Sequence, residues 1–393
     1  MNENINVEIA IVGGGLTGSI LALALSKFGF NICVIEKIKH HNLQKLNYDS
    51  RTTALAASSK KILSFIDIWN DLEDRIGAIN EIRVSDGESP LFLHFDRDRL
   101  DGDPLGFMIE NSYLRKTLFS RLEKEPNIKI ISPVSIEDLY ITDNRATIIL
   151  TSGTNIECDL IVAADGKNSF LRNYFKIPTF GWKYNQVAII TNINHQFPHN
   201  NIAHERFLEA GPLAILPLKN QNLSSIVWTE KKENANAYLE LDEKNFNQEL
   251  SKKIGSFLGN IETFGERFNY PLKLQMAEKY TSKRLILIGD SAHSIHPIAG
   301  QGLNLSIRDI SALINILSSA KKYGLDIGTQ KVLREFQQLR RSDNLLMALT
   351  TDMLNKLFSN NNFSIKLIRD LGLKMTNDSP MLKKKFISHA IGN

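Results

Sequence analysis

The chain opens with β-branched and apolar residues over positions 5–12. Three glycines follow, then small and apolar residues at helical spacing over 16–28. A short apolar run bounded by turn residues marks a buried strand, and apolar positions recurring near every 3.6 residues mark a helix. A second apolar run at 31–35 completes strand, glycine-rich turn, helix, strand: the opening of a βαβ unit. The pattern then changes. Short apolar runs around the turn cluster SDGESP predict a hairpin within 82–95, and residues 113–122 return to helical spacing. Short strands follow over 128–150, and LIVAADG is a buried strand ending in a loop. Strand-like runs alternate with loops over 187–274, with one polar helix near 245–258. KRLILIGDSAH is another buried strand ending in a polar turn, and beyond Ser306 the chain is mostly helical.

The α/β signals therefore come in three separated blocks with mainly β material between them. This predicts an α/β fold with a Rossmann-like nucleotide-binding domain assembled from discontinuous segments, 1–75, 96–180 and 275–340. A β-rich substrate domain is inserted at 76–95 and 181–274, and a helical C-terminal region covers 341–393. Composition narrows the class. The chain has 393 residues, 42% apolar and 23% charged, which excludes a wholly disordered chain, a collagen and a coiled-coil rod. A net charge of +4 is mild for this length and gives no nucleic-acid footprint. Two cysteines, Cys33 and Cys158, make neither a disulfide framework nor a four-ligand zinc site, so a reducing, cytoplasmic setting without a metal is expected. The chain shows no spanning apolar segment and no signal-peptide pattern at its start, and peripheral contact with the inner face of a membrane stays open.

Three motifs carry chemistry. The first is Gly13-Gly14-Gly15-Leu16-Thr17-Gly18, a G-x-G-x-x-G. Gly13 permits the tight turn, Gly15 lets the backbone approach a pyrophosphate, and Gly18 allows close packing of helix on strand. The helix N-terminus supplies N–H groups and a positive dipole for phosphates. Alone the motif is weak, but here it follows a strand, opens a helix, and is followed about 20 residues on by Glu36, placed to accept from ribose hydroxyls. A dinucleotide is expected; the pattern does not choose between NAD and FAD.

The second motif, Asp165-Gly166-Lys167-Asn168-Ser169 with Arg172 one turn later, ends a buried strand, where open α/β sheets place ligands. The third is LIGDSAHSIHPIAGQGLNLSIRD, residues 287–309. Asp290 ends a strand and can hold a polyol hydroxyl. Gly300 and Gly302 free the backbone so that N–H groups near Leu303 and Asn304 open a helix. His293 and His296 read as structural histidines and match no metal-ligand spacing.

Taken together, GGGLTG, ADGKNSFLR and GDSAHSIHPIAGQGLNL resemble the three fingerprints of the single-component, class A flavin-dependent aromatic monooxygenases, with their para-hydroxybenzoate hydroxylase-like fold. HPIAGQGLNLSIRD is similar to the signature of the ubiquinone-biosynthesis hydroxylases, and YDSRTTALAASS, IENSYLRKTL, YNQVAII, GPLAILPL and the tail extend the likeness over nearly the whole chain. One departure is Ser306, where that family usually has glycine. It lies one turn into the helix, where a packing adjustment is expected.

The resemblance implies a role for each matching residue. Gly13, Gly15 and Gly18 would cradle the FAD pyrophosphate and Glu36 would hold the adenosine ribose. Arg51 and Arg115, which by themselves read as solvated surface arginines, would contact the phosphate and ribityl region. Asp165 and Gly166 would serve FAD and an incoming nicotinamide nucleotide, and Asp290 would bind the ribityl chain. Pro297, Gly300, Gly302, Leu303 and Asn304 would face the isoalloxazine. The implied chemistry is reduction of FAD by transiently bound NAD(P)H, then reaction with O₂ to a flavin C(4a)-hydroperoxide that hydroxylates a polyprenylated phenol. No catalytic side chain is nominated.

The tail, with Lys383, Lys384 and Lys385 beside Phe386, suits a membrane surface or a ubiquinone-biosynthesis complex as well as it suits a solvated helix face, and a homo-oligomer is compatible. Three other readings stand beside this one. They are a same-fold flavoenzyme acting on another phenol or reducing a prenyl chain, a non-enzymatic scaffold that kept the fold, and an NAD-dependent dehydrogenase. The last leaves the second and third motifs without a purpose.

Overall fold

The computed structural model describes residues 4–39, 51–87, 92–97 and 102–359. Its first layer grows from the opening apolar run. β1 (Ile9–Val12), α1 (Leu16–Ser26) and β2 (Ile32–Ile35) form the expected βαβ unit, with the two strands parallel and buried throughout. Residues Gly18 to Ser26 of α1 are all buried, so this helix has no polar face and is enclosed on every side. The chain then runs through β3 (Thr52–Ala56), the antiparallel hairpin of β4 (Glu81–Asp86) and β5 (Phe92–Asp96), and α2 (Asn111–Leu122). It returns to the first layer as β6 (Ile128–Ile131) and β7 (Leu160–Ala163).

The second layer is built from β8 (Thr179–His195), β9 (Ile202–Leu208), β10 (Gly211–Pro217) and β11 (Leu223–Lys231). Helices α3 (Lys232–Glu240) and α4 (Glu243–Ile254) cover it, and β12 (Ile261–Ala277) closes it. β13 (Leu285–Leu287) rejoins the first sheet, and the long helices α5 (Gln301–Lys322) and α6 (Gln330–Phe358) follow.

The first sheet has the order Thr281–Ser282, β13, β7, β1, β2, β6, parallel except at its two-residue edge strand. From β1 the chain steps to β2 on one side, while β7 and β13 lie on the other. Such a reversal leaves a crevice beyond the carboxyl ends of the strands, the usual ligand site of an open α/β sheet.

The second sheet runs His293–Ser294, β12, β8, β11, β10, β9, β4, β5. Its strands alternate faces. Val187, Ile189, Leu213, Ile215, Ile226 and Trp228 pack on Ala235 of α3 and on Phe246, Leu250 and Ile254 of α4. Their sequence neighbours Ala188, Ile190, Ala214, Leu216 and Val227 take the opposite face, turned to the first layer.

Two differences from the sequence reading have physical causes. One polar helix is expected near 245–258; the protein has two. α3 packs through Ala235, Tyr238 and Leu239 alone, and its nine residues are too few to set a clear period. α4 starts at Glu243 because the Asp242 side chain caps it, accepting the Asn245 N–H at 2.8 Å. The expected boundary at 341 falls inside α6, one continuous helix. The tail with Lys383, Lys384 and Lys385 lies outside the described residues. Among those residues no helix is long and apolar enough to cross a membrane, and no cluster of His, Cys, Asp or Glu could hold a metal ion. Cys33 and Cys158 are buried free thiols.

Candidate active site

The carboxyl ends of β1, β7 and β13 open onto one cavity of ≈ 460 Å³, a size typical of small-molecule sites. Each motif contributes wall. Gly15, Leu16 and Thr17 follow β1; Ala164 and Gly166 follow β7; Ile288, Asp290 and His293 follow β13; and Pro297, Gly300, Gly302 and Leu303 begin α5. Thr52, Thr53 and Ala54 of β3 and the apolar face of the second sheet complete it.

The glycines of the first motif divide into two kinds. A Cβ on Gly13, whose φ is +106°, would lie 2.3 Å from the Ala164 carbonyl oxygen, and one on Gly18 would lie 1.9 Å from the Gly13 oxygen. These two are glycines because backbone passes against backbone. Gly15 is the opposite case: a Cβ there meets nothing within 4 Å, and the same holds at Gly166 and Gly302. All three face the cavity, so their missing side chains leave room that another molecule can occupy. Gly15 and Gly300 stand at the N-caps of α1 and α5, and neither helix has a side-chain cap. Their first-turn N–H groups are thus available to an anionic or carbonyl-bearing ligand.

The carboxylates have distinct surroundings. Glu36 Oε2 accepts the Gly14 N–H at 2.7 Å and Oε1 accepts the Ile38 N–H at 2.9 Å, which fixes the end of β2 against the glycine turn. Each oxygen keeps a lone pair for a further donor. Asp165 Oδ2 accepts the Leu171 N–H at 3.2 Å, while its Oδ1 is buried and accepts from no described residue. Asp290 projects into the cavity. Crowding by protein raises its pKa above the ordinary carboxylate value, against the pull of His293, Lys167 and Lys273. Arg172 is buried and donates to the Ser291 carbonyl at 2.8 Å and the Lys167 carbonyl at 2.9 Å, tying the second motif to the third.

Seven of the sequence-predicted residues, Gly13, Gly18, Glu36, Arg51, Arg115, Asp165 and Asn304, are not among those lining the cavity. Asn304 spends its side chain inside the protein. Its Oδ1 accepts from the Ala56 N–H and the Ser59 hydroxyl, both at 2.8 Å, and its Nδ2 donates to the Ala54 and Gly300 carbonyls. It therefore clamps α5 to β3. Arg51 is exposed, its guanidinium 5.3 Å from the centre of the Phe268 ring, and Arg115 is half-buried on α2. Ser306 does show a packing role. Its hydroxyl donates to the Gly302 carbonyl at 3.1 Å, and a Cβ on Gly289 would meet its Oγ at 2.8 Å.

The two histidines of the third motif differ in their surroundings. His293 Nε2 lies 2.6 Å from Asp309 Oδ2. His296 is fully buried against Tyr184, and burial pushes its pKa down to about 4, with Asp352 opposing.

Sequence reasoning did not single out Tyr270, Glu205 or the strand Thr52–Ala54, all of which border the cavity. The only signal for Glu205 is period-two alternation with Ala203 and Phe207, which ranks a charged residue among core positions.

Room beside three glycines, two uncapped helix N-termini, the unpartnered Asp165 Oδ1 and the cavity-facing Asp290 all fit FAD. The parallel sheet with its apposed, mostly antiparallel sheet and this shared cavity define a flavin-dependent monooxygenase. Comparison with known proteins agrees. The chain matches the family described as FAD binding domain over residues 6–324. It is 39% identical over 385 residues to the ubiquinone hydroxylase UbiL of Rhodospirillum rubrum, covering 98% of this chain and 89% of that protein. It is 32% identical over 387 residues to the 3-demethoxyubiquinol 3-hydroxylase of Escherichia coli, covering 98% of each. The p-nitrophenol 4-monooxygenase PnpA of Pseudomonas putida shares the fold, with a TM-score of 0.81 at 19% identity over 100% of this chain and 99% of that one. The chain belongs to the FAD-binding family and, within it, to the FAD-dependent hydroxylases of ubiquinone biosynthesis.

Proposed function

We propose that the protein hydroxylates the ring of a polyprenylated phenol in ubiquinone biosynthesis, using FAD, O₂ and NAD(P)H. The observation that carries this reading is that one cavity is walled on one side by the three motifs and on the other by the apolar face of the second sheet. The substrates named for the ubiquinone hydroxylase and the demethoxyubiquinol hydroxylase support the phenol class.

Within this reading the segments 1–75, 96–180 and 275–340 carry the cofactor, and 76–95 and 181–274 wall the substrate. The turn Gly13–Gly15 and the N-terminus of α1 hold the pyrophosphate, and Glu36 takes the ribose. Asp165 serves FAD and the incoming nicotinamide nucleotide through its unpartnered Oδ1, and Asp290 accepts from hydroxyls of the ribityl chain. Pro297, Gly300, Gly302 and Leu303 border the flavin ring, and the positive end of α5 stabilises negative charge there. Bound FAD supplies the redox and oxygen-activating chemistry; the protein orients substrate and excludes water.

Lys167, Lys183 and Lys273 gather near Asp290, and burial together with mutual repulsion lowers the pKa of Lys273. This basic group supports the approach of the nicotinamide nucleotide's phosphates. Attachment to a membrane surface belongs to the same reading. α6 exposes Leu346, Leu349 and Met353 along one face, and a polyprenyl substrate resides in the bilayer.

The test is anaerobic titration of the FAD-loaded protein with NADH and NADPH, with and without ortho-geranylphenol. Faster bleaching of the flavin when the phenol is present is expected. Reduction at one rate regardless of phenol, with no product after air is admitted, would favour a reductase.

A further inference from the structure

Glu205 lies on β9, where alternation turns Ala203, Glu205 and Phe207 to the first layer. Ala203 joins a core with Ile79, Met108 and Leu218, and Phe207 packs on Ile298 and Phe358. Glu205 sits between them at the cavity wall. Its register partners are Ala214 of β10 and Val84 of β4, and the row continues through Val227 of β11 to Ile190 of β8. The row is a single carboxylate in a line of aliphatic side chains. No described residue gives that carboxylate a hydrogen bond or an ion pair. Carboxylates enclosed by protein are ordinarily paired, because leaving one unpaired costs stability. Pro297, Gly300 and Leu303, which would border the flavin ring, line the same cavity, so a substrate held against that ring shares the cavity with Glu205.

We propose that Glu205 accepts the hydrogen bond of the substrate's phenolic hydroxyl and receives its proton during ring hydroxylation. This rests on the function proposed above. As the new C–O bond forms at the ring carbon, the phenol's O–H bond breaks. Its electron pair becomes the second bond of a ring carbonyl, and the proton goes to Glu205. The ring C–H proton then leaves to water, and Glu205 returns its proton to the carbonyl oxygen as the ring regains aromaticity. The oxygen atom comes from O₂; the other leaves as water with the two electrons of NAD(P)H.

The electrostatics suit the role. The titratable groups around the cavity are Asp86 on the same face of β4, Tyr270 on β12 of the same sheet, Asp290 and His293 of the third motif, and Arg51 beside Phe268 at the far end of the row. Arg83, His204 and Arg206 alternate to the other face. None of them moves Glu205; burial alone raises its pKa to about 7. A base poised there is about half ionised at neutral pH and strong enough to take a proton. Since it must be ionised to accept, activity is present above about pH 7 and is lost as pH falls below it.

Two arms test this. In turnover of ortho-geranylphenol by the FAD-loaded protein, Glu205→Gln should lower kcat about 100-fold or more and remove the acid limb of the kcat/KM profile. An unchanged rate with the wild-type acid limb overturns the proposal. The binding arm needs no turnover. It compares ortho-geranylphenol with ortho-geranylanisole, its methyl ether, which has no proton to donate. Wild type should prefer the phenol by about ten-fold or more, and Glu205→Gln and Glu205→Leu should lose most of that preference. Glu205→Leu completes the aliphatic row and should retain FAD and the ether. Equal affinity of wild type for phenol and ether overturns the contact. A wild type that prefers the phenol through Glu205 yet never hydroxylates it leaves the contact standing and sinks the proposed function instead.

Discussion

Arg340 of α6 donates from Nε to Asp309 Oδ1 of α5 at 2.8 Å, with Asp309 wholly buried. The same carboxylate accepts from Asn344 Nδ2 at 3.0 Å and, through Oδ2, from the Gly289 N–H at 3.1 Å. Its Oδ2 also meets His293. One buried charge thus ties both long helices to the turn that presents Asp290. Burial opposes that charge, but His293 and Arg340 outweigh it and hold the pKa at about 2.

Asp309→Asn should therefore destabilise the fold by about 3 kcal/mol, because Arg340 loses its buried partner and keeps only the partly exposed Asp343. Denaturant unfolding at pH 7 measures this. The folded pKa lies below the ordinary 3.8, so the stabilisation is present above that value and is lost as pH falls toward about 2. The gap between wild type and variant should shrink over that window. A gap independent of pH would mean that the carboxylate acts through shape alone.

Asp290→Ala should weaken FAD retention by about ten-fold or more, since a ribityl hydroxyl loses a charged acceptor worth about 1.5–3 kcal/mol. Flavin content after gel filtration at limiting FAD reads this directly. A variant that keeps full occupancy and activity removes Asp290 from the cofactor site.

At Gly15 a Cβ meets nothing within 4 Å, so Gly15→Val should fold while blocking the space where the pyrophosphate approaches. The expected product is a colourless protein with a near-native unfolding transition. Normal yellow holoprotein from this variant would place the pyrophosphate elsewhere.

Gly300 is different in kind. Its φ is +62°, and a Cβ would lie 2.7 Å from Ala54 Cβ. Gly300→Ala should cost about 1–3 kcal/mol of stability through backbone strain and displacement of β3. Thermal unfolding of the apoprotein isolates this from cofactor binding. An unchanged transition would show that the α5 N-cap relaxes freely.

Much of this was legible in the chain. The βαβ opening and the three motif strands are short apolar runs with glycine-rich ends, so period and turn chemistry locate them, and order alone brings Gly15, Gly166 and Asp290 to one crevice. What stayed hidden depends on pairing between distant strands. Glu205 faces the cavity because β9 lies between β4 and β10 in register, which no local pattern states. The ligand contact expected at Asn304 is its backbone N–H; that its side-chain amide is held by Ala56, Ser59 and Ala54, partners about 250 residues away in sequence, no local pattern states. α3 is nine residues long with Ala235, Tyr238 and Leu239 as its packed face, too short a run to set a clear period.

The most direct test of a ring-hydroxylating flavoenzyme is mass analysis of the product formed by the FAD-loaded protein from ortho-geranylphenol, NADH or NADPH, and isotope-labelled O₂. The expected product is the phenol with one added oxygen on the ring, carrying the label from O₂, and none in controls lacking flavin. Flavin oxidation that yields only hydrogen peroxide, or product oxygen that derives from water, would contradict it.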